Sequence, residues 1–364
     1  MTTRKKTGGP KTPPPAAEPA KSERSRKRST INDIARLANV SKKTVPRVIN
    51  DSPFVREETR LKINAIIGEL GFEPDPQARG LAFRRSFLIG MIYDNPTAQY
   101  VVSMQQGILD AMHNSSFGLL VQPCDRASPT FLHDMRQFVE RHKLFGVVLT
   151  PSVSEDDRLV QLLLDADCPC VRVASIALGS AASMVVTHDS VGAAEAARHL
   201  AQLGHQRIAH ISGPATFLSA HERRRGFSNG LAERGLKLKP TYDREGLYTF
   251  DSGATAAREL FALKPRPTAI FAGNDEMAAG VYKAAHDMGL RIPTDLSVVG
   301  FDDSPVATRM WPLLSSVRLP IREMGRMAAE KLFHRYGEKR SGSELTEVIP
   351  ALIMRESTAP PSGA

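Results

Sequence analysis

The feature that most constrains the fold is a regular alternation of short apolar runs with segments of helical length, which begins at Phe87. Strands buried on both faces read as continuous apolar runs, and they alternate with helices in parallel doubly wound sheets. About 270 residues of this pattern are too many for one such sheet, so we expect an α/β protein with two lobes. The predicted strands are FLIGMIYD (87–94), GLLVQPC (118–124), GVVLTPS (146–152), CVRVASI (170–176), MVVTHD (184–189), RIAHISG (207–213), AIFAGND (269–275) and LSVVGFDD (296–303).

Polar residues follow several of these strands. In open sheets of this kind, ligands bind outside the carboxyl ends of the strands. The pattern therefore predicts a ligand cleft between the two lobes. Asp275 and Asp303 are interpreted as helix N-caps, and Ser190 as the N-cap of a helix at 189–205 that opens the second lobe. The candidate ligand contacts are Asp94, Asn95, Asn274 and Asp302.

A separate unit precedes the strands and begins at Thr30, in TINDIARLANVSKKTVPRVIN. Its apolar residues recur with a helical period that is broken once, at Asn39, where asparagine suits a turn with positive φ. Two short helices at a tight turn, with Ser41 as N-cap of the second, predict a helix-turn-helix. The segment at 55–72 supplies a third helix that ends at Gly71.

The second helix of this motif carries exposed cations. In a helix-turn-helix, its N-terminal end enters the major groove, where Lys42, Lys43 and Arg47 match guanine edges or phosphates. With Ser41 as N-cap, Pro46 is the fifth helical residue, and an interior proline costs about 3 kcal/mol. We hypothesise that the helix bends at Pro46, which changes the approach of its C-terminal half to DNA.

The N-terminal tail holds most of the excess positive charge. Residues 1–28 contain nine lysines and arginines but only two glutamates, in a chain whose net charge is +9. The tail is rich in proline and lacks aromatic residues, so we predict that it is disordered. It is either a solubilising leader or a segment loosely attracted to phosphates.

The chain resembles the lactose-repressor (LacI/GalR) family of bacterial transcriptional regulators, through TINDIARLANVSKKTV, RVIN, EETR, ELGFEPD and ARGLAFRRSFLIG and on to about residue 357. The resemblance implies an N-terminal, lambda-repressor-like helix-turn-helix domain. It also implies a periplasmic-binding-protein-like type I effector domain of two doubly wound parallel-sheet lobes. The expected divisions are a tail (1–28), a DNA-binding domain (29–74), a hinge (75–86), an N-terminal lobe (87–187 and 318–344), a C-terminal lobe (188–317 and 345–358) and a final tail (359–364).

The resemblance implies that the hinge becomes helical on operator DNA and wedges a leucine, here Leu81, into the minor groove. The chain departs from the family where Arg56 replaces a capping serine and Pro46 a small residue, so we expect an operator unlike that of typical relatives. The predicted DNA contacts are Thr30, Ser41, Lys42, Lys43, Thr44, Pro46, Arg47, Asn50, Ala78 and Leu81.

For the cleft, the resemblance implies that Arg223, Asn274 and Asp302 are polar effector contacts. Tyr248 matches an aromatic residue that stacks on the ligand, although packing explains a tyrosine there equally well. A guanidinium, an amide and a carboxylate around an aromatic face suit vicinal hydroxyls, hence a sugar. A purine or a sugar phosphate remains the alternative, because Arg223 also suits an anion.

Enzymatic function is not predicted. The sequence has no G-x-G-x-x-G, P-loop or G-x-S-x-G motif, and Asp302 and Asp303 are adjacent at a strand end, unlike an opposed acid and base. Three cysteines and the spacing of His199, His205 and His210 do not suit a metal, so no cofactor is expected.

No signal peptide and no membrane span are predicted, so we expect a cytoplasmic, nucleoid-associated protein with no membrane partner. A periplasmic sugar-binding protein has similar lobes, but residues 30–83 argue against it. The expected function is a repressor of carbohydrate catabolism genes that binds a near-palindromic operator as a homodimer and is controlled by an effector in the cleft.

Overall fold

The structure is a computed structural model that describes residues 29–49, 54–72, 86–113, 115–337 and 345–362. The chain divides into two compact units, Met1–Asp75 and Pro76–Ala364. The predictions for the tail, for most of the hinge, and for Asn50, Ala78 and Leu81 lie outside the described residues.

The first unit contains three short helices around one small core. They are α1 (Ile31–Ala38), α2 (Thr44–Ile49) and α3 (Glu57–Leu70). Helices this short depend on tertiary packing, and each of them buries apolar side chains in a shared cluster. The buried members are Ile34, Ala35, Ala38, Val45, Val48 and Ile63.

The first helix is bounded as the sequence predicts. Its N-terminus is a capping box, in which the Thr30 hydroxyl accepts from the Asp33 amide at 3.4 Å and Asp33 Oδ2 accepts from the Thr30 amide at 3.0 Å. Asn39 follows in the left-handed region, with φ 56° and ψ 48°. The predicted turn at Asn39 is therefore confirmed.

The second helix begins two residues later than the predicted N-cap implies, because residues 42 and 43 form a turn and α2 starts at Thr44. The Ser41 carbonyl accepts from the Thr44 amide at 2.9 Å, and the two hydroxyl oxygens are 2.8 Å apart. Pro46 is thus the third helical residue, in the first turn, where amides have no acceptor within the helix. The predictions that Ser41 caps an α-helix at residue 42 and that Pro46 loses an interior hydrogen bond are wrong.

The third helix has an uncapped beginning and a glycine end. Arg56 precedes it in an extended conformation and makes no side-chain cap, as the departure from the family pattern predicts. Gly71 follows it with φ 55°, a conformation that strains most other residues.

The second unit alternates strands and helices along most of its length. The strands are β1 (Leu88–Tyr93), β2 (Gly118–Pro123), β3 (Gly146–Leu149), β4 (Cys170–Ala174), β5 (Met184–Val186), β6 (Ile208–Ser212), β7 (Asp243–Glu245), β8 (Ala269–Ala272), β9 (Ser297–Asp302), β10 (Ser315–Arg318), β11 (Thr346–Glu347) and β12 (Ala351–Ile353). The helices are α4 (Ala98–Ala111), α5 (Phe131–His142), α6 (Asp157–Asp165), α7 (Asp189–Gln202), α8 (Leu218–Ala232), α9 (Phe250–Phe261), α10 (Asp275–Asp287) and α11 (Ile321–Gly337).

These strands form two sheets, one in each lobe. The N-terminal lobe has the order β11-β5-β4-β3-β1-β2, and its strands are parallel. The C-terminal lobe has the order β12-β10-β9-β8-β6-β7, with only β12 antiparallel. Helices cover both faces of each sheet. In the N-terminal lobe, α4 and α11 cover one face and α5 and α6 the other. In the C-terminal lobe, α7 and α8 cover one face and α9 and α10 the other. The predicted two-lobed, doubly wound fold is confirmed.

The structure corrects several details of the second unit. The helix at the start of the C-terminal lobe begins at Asp189 after His188, whose φ is 42°, so Ser190 lies inside the helix and does not cap it. Strand β11 pairs with β5, which places residues 346 and 347 in the N-terminal sheet rather than in the C-terminal lobe. None of the helices in the described part of the chain has the length and apolar character that a membrane crossing requires.

The position of Pro46 predicts a small stability effect. We expect Pro46→Ala to change the free energy of unfolding of the first unit by less than about 1 kcal/mol, because a first-turn proline sacrifices no helical hydrogen bond. Ile49→Pro, placed beyond the first turn, should cost about 3 kcal/mol. Hydrogen exchange of peptides from residues 29–72 in the full chain measures both. Strong stabilisation by Pro46→Ala would show that the proline strains the helix.

Candidate functional site

Polar side chains from both lobes meet in a cleft at the carboxyl ends of the strands. The cleft holds a cavity of about 30 Å³, and the hydrogen bonds between Leu218 and Glu155 and between Asn274 and Thr97 join the two lobes. Five of the six predicted effector contacts line it. The lining residues are Asn95, Thr97, Tyr100, Pro151, Thr187, Asp189, Phe217, Ser219, Arg223, Tyr248, Asn274, Asp302, Leu319 and Met324.

The sixth predicted contact, Asp94, is not among the residues that line the cleft. Its Oδ1 accepts from the Ser152 amide at 3.1 Å, and its Oδ2 accepts from the Ser152 hydroxyl at 2.7 Å. Asp94 therefore holds the loop that follows β3. The strand-end pattern identified the correct edge of the sheet, but it does not distinguish a loop-holding carboxylate from a cleft-lining one.

Arg223, from α8, occupies the centre of the cleft and is 6% exposed. Its Nε donates to Asp189 Oδ2 at 2.7 Å, and its Nη1 donates to the Gly273 carbonyl at 2.5 Å. Its guanidinium carbon lies 3.7 Å from the centre of the Phe301 ring, a cation–π contact. The arginine is held rigidly from three sides by the C-terminal lobe.

Asp189, the partner of Arg223, was not predicted as a site residue. It is 1% exposed, is the first residue of α7, and also accepts a hydrogen bond from the Thr187 hydroxyl. The sequence did contain a signal, because Asp189 follows the apolar run of β5 just as other polar residues follow their strands. It was interpreted only as the start of a helix.

Asp302 lies on the other side of the guanidinium, with its Oδ1 3.7 Å from Arg223 Nη2. Among the described residues, no hydrogen bond donor contacts its carboxylate. Burial raises its pKa to about 7, an effect that Arg223 opposes and Asp189 reinforces. Its φ is 105°, a strained conformation for a residue with a side chain.

Asn274 lines the cleft, but its polar atoms are already used by the protein. Its Oδ1 accepts from the Met277 amide at 2.9 Å and caps α10, while its Nδ2 donates to the Tyr248 carbonyl at 3.0 Å and to the Thr97 hydroxyl at 3.5 Å. Thr97 belongs to the opposite lobe, so Asn274 also links the two sides of the cleft.

The two aspartates interpreted as helix caps have other roles. Asp275 follows the true cap, is 1% exposed, and accepts from the Ser304 amide at 2.7 Å and the Ser316 hydroxyl at 2.6 Å. Burial raises its pKa to about 8. Asp303 accepts from the guanidinium groups of Arg318 and Arg355. Both cap predictions are wrong, because each carboxylate reaches tertiary partners.

Tyr248 forms an aromatic wall of the cleft. Its ring meets Phe217 edge to face at 5.5 Å, and its hydroxyl lies 3.4 Å from the Ser219 hydroxyl. A φ of 59° directs the ring over Gly213, where a Cβ atom would lie 2.0 Å from the ring. The absence of a side chain at Gly213 is therefore what allows the wall to form.

Tyr100 lines the cleft from α4 in the N-terminal lobe and was not predicted. It is 6% exposed, and its hydroxyl has no hydrogen bond partner within the described residues. Burial raises its pKa, and the carboxylates of Asp189 and Asp302 add to the effect. Its position in an apolar helical face gave no signal in the sequence, because an aromatic residue there is typical of a core.

A buried glutamate joins the two lobes beside the cleft. Glu155, from the N-terminal lobe, accepts from the Leu218 amide at the start of α8 at 3.1 Å, and lies 3.9 Å from Arg126. Burial raises the pKa of Glu155 to about 7, against the lowering effect of the Leu218 amide. Its second oxygen, Oε1, is buried with no partner in the described part of the chain.

In the first unit, all of the described predicted DNA contacts except Thr30 lie on one short segment around α2. Ser41, Lys42, Lys43 and Arg47 are exposed, whereas the intervening Val45 is buried. Thr44 and Pro46 are half-buried, and Thr30 is an exposed cap on α1. The described residues hold no group of three or more His, Cys, Asp or Glu side chains arranged to bind a metal ion.

Fold and site together define a two-lobed small-molecule binding module on a chain that also carries a helix-turn-helix. Residues 30–75 match the family described as bacterial regulatory proteins, lacI family, and residues 197–358 match the periplasmic binding protein-like domain. Catabolite control protein A of Priestia megaterium is 32% identical over 330 residues, which cover 90% of this chain and 99% of the relative. The chain belongs to the lacI family of bacterial regulatory proteins.

Solved structures of the family have the same architecture. The structure of a transcriptional regulator CelR–cellobiose complex matches with a TM-score of 0.68 and 29% identity. The match covers 91% of this chain and 100% of the CelR chain. The lac repressor dimer bound to operator and the anti-inducer ONPF has a TM-score of 0.69 and 26% identity, covering 92% and 100%. The predicted family and fold are confirmed.

The contact between Gly213 and Tyr248 predicts a destabilising substitution. We expect Gly213→Ala to lower the free energy of unfolding by about 1–3 kcal/mol, because the added methyl group overlaps the buried ring. Gly179→Ala is the matched control, since a Cβ atom there meets nothing within 4 Å. Thermal and urea unfolding of the full chain compare the two variants. Equal stability would show that Tyr248 moves aside freely.

The raised pKa of Asp275 predicts a dependence of stability on pH. Between its ordinary pKa of 3.8 and about 8, the folded state keeps a proton that the unfolded chain releases, so this contribution to stability is lost as the pH rises. We expect Asp275→Asn to raise the unfolding temperature at pH 8.5 more than at pH 5, because an amide can accept from Ser304 and donate to Ser316. The exposed control is Asp251→Asn. If the unfolding temperatures of the two variants changed with pH in the same way, this prediction would be contradicted.

Proposed function

We propose that this protein is a sequence-specific DNA-binding transcriptional regulator, a repressor of carbohydrate catabolism genes, whose DNA affinity is set by a sugar in the cleft between its lobes. One observation carries the proposal. A single chain combines a helix-turn-helix that exposes three cations with a closable cleft lined by hydroxyl, amide, guanidinium and carboxylate groups. The first part suits a nucleic acid and the second suits a small polyol.

The DNA-binding element is the segment from Ser41 to Arg47. Lys42 and Lys43 lie in the exposed turn that leads into α2, and Arg47 lies on the exposed face of the helix. Long cationic side chains at this end of a recognition helix reach guanine edges and phosphates in the major groove. The remaining proposed contacts are Thr30, Thr44, Pro46, Asn50, Ala78 and Leu81.

The operating form is a homodimer on a near-palindromic operator. One helix-turn-helix buries too few base contacts for useful specificity, so such domains bind two half-sites related by twofold symmetry. The lac repressor, a relative of similar fold, is a dimer on its operator in the structure compared above. The protein acts at the nucleoid, in the cytoplasm.

Effector control operates through closure of the lobes. The Glu155–Leu218 and Asn274–Thr97 contacts exist only while the lobes are together, because each joins residues of different lobes. An effector that contacts both lobes favours the closed state by its differential affinity, and the lobe angle then sets the state of the DNA-binding unit. The relatives support this reading, since CelR was solved with cellobiose.

The protein has no catalytic role in this proposal. The cleft carboxylates Asp189 and Asp302 flank one arginine, and Asp189 is fully engaged by Arg223 and Thr187, so no opposed acid and base pair exists among the described cleft residues. The cleft groups bind and orient a ligand without activating a nucleophile.

Selection of operators from random duplexes, followed by fluorescence anisotropy, tests the proposal. We expect the double variant Lys42→Ala/Lys43→Ala to weaken binding of the selected operator at least tenfold and to reduce the slope of log K against log salt by about 1–2. Lys62→Ala, which removes an exposed lysine from α3, is the matched control. If no sequence were enriched, the proposed function as a DNA-binding regulator would be refuted. If the double variant and the control weakened operator binding equally, the DNA-binding face would lie elsewhere.

A further inference from the structure

The cleft has an unequal charge balance. Among the described residues that line it, Arg223 is the only cation, and Asp189 and Asp302 are anions. Arg223 and Asp189 form a buried ion pair at 2.7 Å and neutralise each other. The remaining charge of the cleft is therefore that of Asp302, which is negative when ionised.

Of the three guanidinium nitrogens of Arg223, only Nη2 has no hydrogen bond partner among the described residues. Its Nε is used by Asp189 and its Nη1 by Gly273, while Nη2 faces Asp302 across a 3.7 Å gap that is too long for a hydrogen bond. A group that enters this gap must accept from Nη2 and donate to the carboxylate. A hydroxyl does both, whereas an ionised phosphate or carboxylate only accepts.

The opposite wall has the same preference. Tyr100 lines the cleft, and its buried hydroxyl, which has no partner among the described residues, can donate or accept. Tyr248 already packs against Phe217 and over Gly213, so it presents little open face for a flat base to stack on. Hydroxyl groups, rather than a planar heterocycle, complement these surfaces.

We infer that the cleft selects an uncharged polyhydroxyl ligand, a neutral sugar, and rejects the phosphorylated or carboxylated form of the same sugar. One ligand hydroxyl bridges Arg223 Nη2 and Asp302, and another meets Tyr100. Asp189 is the specificity-determining residue, because it cancels the arginine charge that would otherwise attract an anion. This inference rests on the proposed effector cleft and narrows its ligand class.

The test uses the full chain at pH 8, where Asp302 is ionised because its pKa is about 7. Thermal shift screens neutral mono- and disaccharides, their phosphate esters, the corresponding sugar acids, and purine bases, and titration calorimetry measures each hit. We expect at least one neutral sugar to bind, and its phosphate and acid forms to bind at least tenfold more weakly. A phosphate ester, an acid or a purine that binds more tightly overturns the inference.

Two variants separate the roles of the carboxylates. Asp302→Asn should weaken binding of the neutral sugar by about tenfold to a hundredfold, which corresponds to the loss of a hydrogen bond to a charged group. Asp189→Asn should narrow the preference for the neutral over the anionic form, because Arg223 loses its counter-ion. The same chemical change outside the cleft, Asp251→Asn, should alter neither affinity. If Asp189→Asn does not fold, the inference is still tested by the effect of Asp302→Asn and by the ratio of the wild-type affinities for the neutral and the anionic sugar.

Failure of the inference is distinguishable from failure of the proposed function. If an anionic sugar or a purine changes operator affinity in the anisotropy assay, the regulator stands and the neutral-ligand inference falls. If no compound in the panel binds, the effector cleft itself is refuted. If the neutral sugar binds without altering operator affinity, the ligand class stands and the proposed control of DNA binding falls.

Discussion

The buried ion pair between Arg223 and Asp189 is the interaction on which the cleft depends. It joins the first residue of α7 to α8, and the second guanidinium nitrogen extends the link to the end of β8 at Gly273. Removing one partner of such a pair leaves a buried charge and costs about 3–5 kcal/mol. The pair also lies where the chain passes from the first lobe into the second, after β5, so it anchors the first helix of the second lobe as well as the site.

Buried carboxylates in and beside the cleft resist complete ionisation. Asp302, Asp275 and Glu155 all have pKa values raised by burial, to about 7, 8 and 7 respectively. Each of these groups binds its proton more tightly in the folded protein than in the unfolded chain. The binding module is therefore intrinsically more stable in mild acid than in mild base, with respect to these three groups.

Most of the fold could be predicted from the sequence, because eight of the strands are apolar runs. The residues that end α1 and α3, Asn39 and Gly71, are also distinctive. Strands β7, β10 and β11 were missed because DRE, SSVR and TE contain no apolar run, and β12 because ALI is only three residues long. The start of α2 was misplaced although the information was present, since a proline is tolerated in the first turn and not beyond it. Applied to Pro46, that rule places the helix start at about Thr44.

The site was predictable only in part. Residues at strand ends could be assigned to the cleft, but Asp94 and Asp189 follow strands in the same way, and only their tertiary partners show that one holds a loop and the other a guanidinium. Tyr100 and Glu155 gave no signal at all, because an aromatic residue in a helix and an acid in a polar connecting segment are ordinary. Their importance comes from burial, which a sequence does not specify.

Closure of the lobes carries its own counterweight. When Leu218 donates to one oxygen of Glu155, the other oxygen is buried and unpaired among the described residues. The gain from this hydrogen bond is partly offset at the same side chain, because burying an oxygen without a partner costs free energy. The contact between the lobes at Glu155 is therefore weaker than it would be if both carboxylate oxygens were paired.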